Sequence, residues 1–405
     1  MLQKQSHKGS FLNKKKHWTA LLAVNGIGRK TLQKVEKVLN KTQISWEEFW
    51  VGGGGIWKAC GLSEKKQESV KKFKKEHIVA SYWESLLERR ISVVSYKDKI
   101  YPQHLQNIED KPPILFVKSK VDYYWNQLPI AVVGTRKVTP YGELVTRKIS
   151  RELVNYDATI VSGFMYGVDL IAHQTAIENE GKTVAVLGFG FDYMFPRSHQ
   201  KIFVQMLEKG AIFVSEFAPH ISPRMGNFPV RNRIIAGMSL ATVVTEAATK
   251  SGSLITANLA ADYGRDVFTV PGPITSPYSE GTRALVNDGA MLVGSGGEVI
   301  QELSNSYGRM KNTKVLCKKD KVKEVNKVNS EGRDGALGQK ILFEQFKKNS
   351  LEAKIINKIQ GNDSSTDSLA ETLNVDIARL SSILSMMEIQ GLVKKREELW
   401  VSCVD

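Results

Sequence analysis

The chain has 405 residues, of which 42% are hydrophobic and 24% are charged, fractions of a folded rather than a disordered protein. That length predicts about two to four domains. Lys and Arg total 57 against 42 Asp and Glu, a net charge of +15, so a polyanion is the first partner to consider and nucleic acid the commonest soluble one. No apolar run approaches the ~20 residues that span a bilayer. The short apolar stretch at 18–24 has no cleavage pattern of a signal peptide. Cys60, Cys317 and Cys403 lie far apart, which argues against a disulfide framework or a zinc site and for a reducing cytoplasm.

The charge is unevenly spread. Residues 1–129 hold 24 basic and 12 acidic side chains, residues 130–295 hold 15 and 14, and residues 296–405 hold 18 and 16. Residues 1–16 are polar and basic without apolar periodicity and are expected to form a frayed tail. Over 17–95, Trp18, Leu21, Leu22, Leu32, Val35 and Leu39 recur at helical spacing, which predicts a small helical domain broken by the four glycines at 52–55. Within it, Asn25-Gly26-Ile27-Gly28 fits the turn of a helix-hairpin-helix. Gly26, Gly28, Arg29 and Lys30 are therefore candidate phosphate contacts, with an ordinary turn between helices as the alternative. Residues 100–128, with Pro102, Pro112 and Pro113, read as an extended lead-in to a core covering 96–295.

From residue 130 the pattern changes. Short β-branched runs at 130–133, 159–161, 183–187, 211–214, 241–244 and 267–270 alternate with helical segments such as 141–154 and 167–179. Runs this apolar predict strands buried on both faces, hence an α/β fold with a Rossmann-like, doubly wound, mostly parallel sheet. Residues 296–345 read as a lysine-rich linker, with seven lysines and two acids at 311–328. In 346–405, three helical patterns and an alternating hairpin predict a winged helix-turn-helix.

Ligands of open parallel sheets bind beyond the carboxyl ends of the strands. Candidate residues gather at those ends. Thr135 and Arg136 follow Gly134 after the first strand, and Ser162 and Gly163 follow the second. Gly188 and Gly190 follow the third, with Arg197 shortly after. Arg231, Asn232 and Arg233 lie near an expected helix start at Pro229, where two cations oppose the helix dipole and so are expected to serve an anion. An internal salt bridge is the alternative. Ser251, Gly252 and Ser253 open another helix and offer hydroxyls and amides to a second anion. Asp169 and His173 share a helix face, and structural roles are the favoured reading over an acid–base pair. Neither the dinucleotide-binding glycine pattern nor a P-loop is present, so no nucleotide cofactor is expected. With no strong nucleophile–base pair at the rim, the pattern predicts binding to successive phosphates rather than catalysis.

Residues 129–293 resemble the core of the DNA-processing protein A (DprA, or Smf) family. The resemblance is carried by VVGTR at 132–136, SGFMYGVDLIAH at 162–173, GFGFDYMFP at 188–196 and SEFAP at 215–219. FPVRNRIIAG at 228–237, SGSLITA at 251–257, GRDVFTVPG at 264–272 and SEGTRALVNDGA at 279–290 extend it. The chain departs from the family pattern at Met165, Phe195, His199, His220 and Arg283, which stand where a small residue, Tyr, Asn, Gly and Asn are usual. The helical amino-terminal segment, helix-hairpin-helix or SAM-like, and the winged carboxyl-terminal segment are similar to the family's accessory domains. The resemblance implies a cytoplasmic, non-enzymatic, homodimeric protein that binds single-stranded DNA and loads RecA recombinase onto it in natural transformation. Single-strand binding protein is a further candidate partner, and neither a cofactor nor a membrane is implied. Carried over residue by residue, the implied DNA pocket is Thr135, Arg136, Ser162, Gly163, Arg231, Asn232, Arg233, Ser251, Gly252 and Ser253, with Arg197 nearby. Two other readings stay open. One is a Rossmann-like nucleotide phosphoribohydrolase with Glu246 as acid, although the signature of that group is missing. The other is a double-stranded DNA regulator acting through 366–402, although Arg379 is the only cation of its recognition-like helix.

Overall fold

The computed structural model describes residues 2–308, 351–359, 364–373, 375–389, 393–396 and 399–402. They fall into two compact units, 1–314 and 315–405.

The first unit opens with six helices: α1 (Leu2–Ala23), α2 (Arg29–Thr42), α3 (Trp46–Gly52), α4 (Gly54–Ala59), α5 (Glu64–Glu76) and α6 (Val79–Glu88). The basic tail expected at 1–16 is part of α1. The helix continues outward from Trp18, Ala20 and Leu21, which are buried, and its lysines find acids: Lys14 pairs with Glu36 at 2.7 Å and Lys15 with Asp98 at 3.0 Å. Those pairs supply what apolar periodicity does not. A capping box at Ser45 and Glu48 starts α3, and Gly53, at φ 75°, separates α3 from α4.

A nine-stranded sheet follows. Its strands are β1 (Ser92–Ser95), β2 (Ile114–Lys118), β3 (Pro129–Val133), β4 (Thr159–Ser162), β5 (Lys182–Leu187), β6 (Ile212–Ser215), β7 (Ala241–Val244), β8 (Asp266–Thr269) and β9 (Met291–Leu292). The order is β1-β2-β6-β5-β4-β3-β7-β8-β9. From β6 to β9 every pairing is parallel, while β1 and β2 add an antiparallel edge. The chain winds outward from β3 in one direction through β4 and β5, then returns to β7 on the other side. The point of reversal lies between β3 and β7. The antiparallel pair β1–β2 falls in segments expected to be helical and extended.

Helices α8 (Pro140–Asn155) and α9 (Val168–Glu178) cover one face of the sheet. Helices α7 (Gln103–Gln106), α11 (Asn227–Met238) and α12 (Gly252–Asp262) lie on the opposite side. Ile130 and Val132 enter one core, Ala131 and Val133 the other, as alternation along a strand requires. Helix α10 (Gln200–Glu208) and α13 (Glu280–Asn287) complete the connections. The linker expected at 296–345 begins as a helix, α14 (Gly296–Gly308), because Val299, Ile300 and Leu303 bury themselves in the core beside α8. The lysine-rich 311–328 lies outside the described residues. A third core joins the amino-terminal helices to the sheet: Trp18, Phe49 and Trp83 share it with Val93, Ile114 and Phe116.

The second unit has helices α15 (Leu351–Ile359), α16 (Thr366–Leu373) and α17 (Ile377–Ile389) and strands β10 (Ser364–Ser365), β11 (Val393–Arg396) and β12 (Leu399–Ser402). The strands pair antiparallel in the order β10-β12-β11. Ile355, Ile356, Leu369, Leu380, Leu384 and Trp400 form its own core.

Candidate nucleic-acid interface

A cleft of about 690 Å³ opens at the carboxyl ends of β3 and β7, the point of reversal. Three loops and the start of α11 build it. The turn after β3 passes so close to its neighbours that a Cβ on Gly134 would stand 2.5 Å from Val168 and 2.8 Å from the Glu246 carbonyl oxygen. Only glycine permits this approach, which lets the Thr135 amide donate to the Glu246 carbonyl at 2.7 Å. Thr135 is buried, and its hydroxyl accepts from the Lys137 amide at 3.1 Å. Arg136 and Lys137 are exposed at the lip. The Arg136 guanidinium lies 5.7 Å from the ring centroid of Phe228, which in turn contacts Phe195 at 5.5 Å.

The second wall is the amino terminus of α12. Ser251 caps it, accepting from the Ser253 amide at 3.3 Å, and the two hydroxyls are 2.7 Å apart. No acidic side chain lies in the first turn, and nothing stands within 4 Å of where a Gly252 Cβ would be. An uncompensated helix start open to solvent is a seat for an anion. Asn232 donates to the Gly252 carbonyl at 3.2 Å and fixes α11 against α12.

Of the residues singled out in the sequence, the structure brings together Thr135, Arg136, Arg231, Asn232, Ser251, Gly252 and Ser253 in this cleft. Ser162 and Gly163 lie beneath it. Ser162 is fully buried and donates to the Val132 carbonyl at 2.7 Å, and the Arg231 guanidinium occupies the space a Gly163 Cβ would take. Arg197 is exposed but is not among the residues that line the cleft.

The expectation that Arg231 and Arg233 both reach out to an anion is corrected by the structure. Helix α11 begins at Asn227, two residues before Pro229, so both arginines sit beyond the first turn. Both are buried, on different flanks. Arg231 Nη1 donates to the carbonyls of Gly163 and Val186, with Asp169 as its compensating charge; burial lowers its pKa to about 10. Burial conversely raises the pKa of Asp169, against the pull of Arg231. Arg233 pairs with Glu216 and, through Nε at 3.3 Å, with Asp110. The internal salt bridge is the arrangement found for Arg233.

Sequence reasoning missed Lys137, Lys250, Met225, Phe195 and Phe228 as cleft residues. Position was the available signal for the two lysines, which adjoin Arg136 and Ser251. Gly26, Gly28, Arg29 and Lys30 line a different cavity, on the far flank of α11.

Two groups considered for chemistry are committed to structure. The buried Glu246 carboxylate accepts from the Thr139 amide at 2.9 Å and the Thr139 hydroxyl at 2.7 Å, at the start of α8. That uses the acid a phosphoribohydrolase would require. His173 is fully buried and its Nδ1 is 2.6 Å from the Thr183 hydroxyl. Burial first, then Arg231 and His199, push its pKa down to about 3. The folded value lies below the ordinary 6.5, so the unfolded chain takes the proton first. This contribution to stability is present above pH 6.5 and drains as pH falls toward 3, by about 1.4 kcal/mol per pH unit. Asp169 and Glu216, with raised values, act in the opposite sense. The expected result is therefore a difference: His173→Gln unfolds in urea with a pH dependence shallower than the parent's by about one proton between pH 6 and 4. Parallel pH profiles would refute it.

No helix among the described residues is long and apolar enough to cross a membrane, and no group of three or more His, Cys, Asp or Glu among them could hold a metal ion.

Comparison with known proteins gives a consistent likeness. The family model described as DNA recombination-mediator protein A matches residues 92–304. Protein Smf of Synechocystis is 30% identical over 388 residues, 94% of this chain and 96% of that protein. DNA processing protein DprA of Streptococcus pneumoniae is 40% identical over 209 residues, 51% of this chain and 73% of the relative. An X-ray structure of DNA processing protein A from the same species superposes with a TM-score of 0.61 at 31% identity, covering 71% of this chain and 97% of that one.

Proposed function

Since this chain belongs to the DNA recombination-mediator protein A family, we propose that it binds single-stranded DNA in the cleft between β3 and β7. The family is one of recombination mediators rather than enzymes. The observation that carries the reading is the juxtaposition of an open, acid-free helix start with three cations that make no ion pair among the described residues. Arg136, Lys137 and Lys250 surround the start of α12. Phe195 and Phe228 supply aromatic faces at the same lip, where an unpaired base can stack; a duplex keeps its base faces stacked inside the helix. Thr135, Asn232, Ser251, Gly252 and Ser253 hold the strand's phosphates, while Ser162, Gly163 and Arg231 form the floor that sets their positions. Arg197 extends the cationic lip.

The test is fluorescence anisotropy of a labelled oligo(dT) across a salt series. Arg136→Ala is expected to weaken binding several-fold for every sequence and to lower the slope of log affinity against log salt by about one. An unchanged affinity and slope would defeat the site assignment.

We infer further that the protein is cytoplasmic and delivers RecA recombinase to the bound strand, in competition with single-strand binding protein, during natural transformation. No gain in RecA filament formation on a strand coated with that protein would count against this role. The second unit, with three helices and a β10-β12-β11 sheet, reads as a winged helix. A homodimer is supported by exposed apolar side chains at the β9 edge and in the loop after β8, Leu292 at 56% and Ile274 at 88% exposure. Light scattering that finds only monomer at micromolar concentration would reject it.

A further inference from the structure

Helix α11 is a partition between two cavities. Phe228 and Asn232 face the cleft described above, whereas Asn227, Val230 and Arg233 line a second cavity of about 410 Å³. The opposite wall of that second cavity is the turn from α1 to α2, Gly26 to Lys30. Residues far apart in the chain therefore meet across it.

Donors converge there. Helix α2 is 14 residues long, its N-cap Gly28 contributes no side-chain hydrogen bond, and its first turn carries no acid. The amides of Arg29 and Lys30 precede the first carbonyl a helix can offer them. A second observation is independent of the helix. Arg233 is only 4% exposed, yet its Nη1 has no hydrogen-bond partner among the described residues while its side chain forms part of the cavity wall. The Asn227 Nδ2 on the same flank is also unpartnered among them. Lys30 and Arg224, exposed on opposite walls, make no ion pair among the described residues. Among the described residues Glu216 is the only acid lining the cavity; its Oε2 is tied to Arg233 Nη2, and its Oε1 has no partner among them.

We propose that this cavity is a second anion seat, built to hold a phosphate-class group between the start of α2 and the flank of α11. Its oxygens accept from the α2 amides, Arg233 Nη1 and the Asn227 amide, and Lys30 and Arg224 close over it. The phosphate comes either from a strand that crosses α11 out of the main cleft, about one helix diameter (~10–12 Å) away, or from a free phosphate or phosphomonoester. The seat itself stands on these residues and not on the polynucleotide reading of the main cleft.

Calorimetric titration of the full chain with orthophosphate, at constant ionic strength, tests it. Arg136→Ala, altered only in the main cleft, is expected to keep the binding event that is lost in the pair Lys30→Glu with Arg224→Glu, in which this seat binds at least about tenfold more weakly. The pair Lys30→Arg with Arg224→Lys restores binding and controls for folding. Absence of orthophosphate binding, or equal binding by wild type and the double glutamate variant, overturns the seat. The oligo(dT) salt series identifies the source. A slope lowered by about two in the double glutamate variant assigns the seat to the strand; an unchanged slope with lost orthophosphate binding assigns it to a free phosphate. Failure of Arg136→Ala to alter oligo(dT) binding would reject the main cleft and leave the orthophosphate result standing.

Discussion

Arg231→Ala is expected to lower the free energy of unfolding by about 3–5 kcal/mol, the cost of breaking a buried, hydrogen-bonded charge pair. Its guanidinium serves three groups at once. Nη1 donates to the carbonyls of Gly163 and Val186, and the positive charge compensates Asp169, which lines the cleft. Alanine leaves two carbonyls without their donor and one carboxylate without its counter-charge, and it opens a void over Gly163. Asp169, whose pKa burial already raises, then escapes the penalty only by taking a proton, so the loss should shrink as pH falls. Urea denaturation read as a shift in midpoint with unchanged slope is the measurement. A loss below about 1 kcal/mol, independent of pH, would mean that Arg231 is not the keystone of the cleft floor.

Gly167→Ala should cost about 2–4 kcal/mol and should also distort the cleft. Gly167 sits ahead of α9 at φ 75° and ψ −131°, a region closed to side-chain-bearing residues without strain of about 1–3 kcal/mol. A Cβ there would fall 2.3 Å from the Thr135 carbonyl oxygen and 2.9 Å from the Arg136 backbone. Those atoms belong to the loop that presents Arg136, so relief of the clash pushes the loop outward and breaks the bond from the Val168 amide to Thr135 at 3.2 Å. Both thermal stability and oligo(dT) affinity should fall, in contrast to Arg136→Ala, which should lower affinity alone. A Gly167→Ala protein that melts and binds as the parent does would show that the loop is free to move.

The parallel sheet was legible because its strands are short β-branched runs between helical periods, and the cleft because strand ends bring their loops together whatever the loops contain. Arginine direction was not legible. Side-chain identity at 231 and 233 says that a charge is present, but only the packing face of α11 decides whether it meets solvent or Asp169, Glu216 and Asp110. The helix start was misplaced for a related reason. Pro229 is the third residue of α11, and the missing N–H is harmless anywhere in the first turn, so proline marked the turn and not its first residue. Strand β2 was hidden behind Pro112 and Pro113, and α1 by lysines whose partners lie at Glu36 and Asp98.

The amino-terminal helices are fastened to the sheet by more than a linker. Arg29 pairs with Asp110 at 3.1 Å, Asp110 with Arg233, and Arg233 with Glu216, while Val93, Ile114 and Phe116 share a core with Trp18, Phe49 and Trp83. Excising residues 1–91 would therefore not release a tidy catch-all core. It would strip one flank of the sheet to bare aliphatic and aromatic side chains and shorten a four-member relay of alternating charge, so the helical segment behaves as a permanent half of one body rather than as a detachable module.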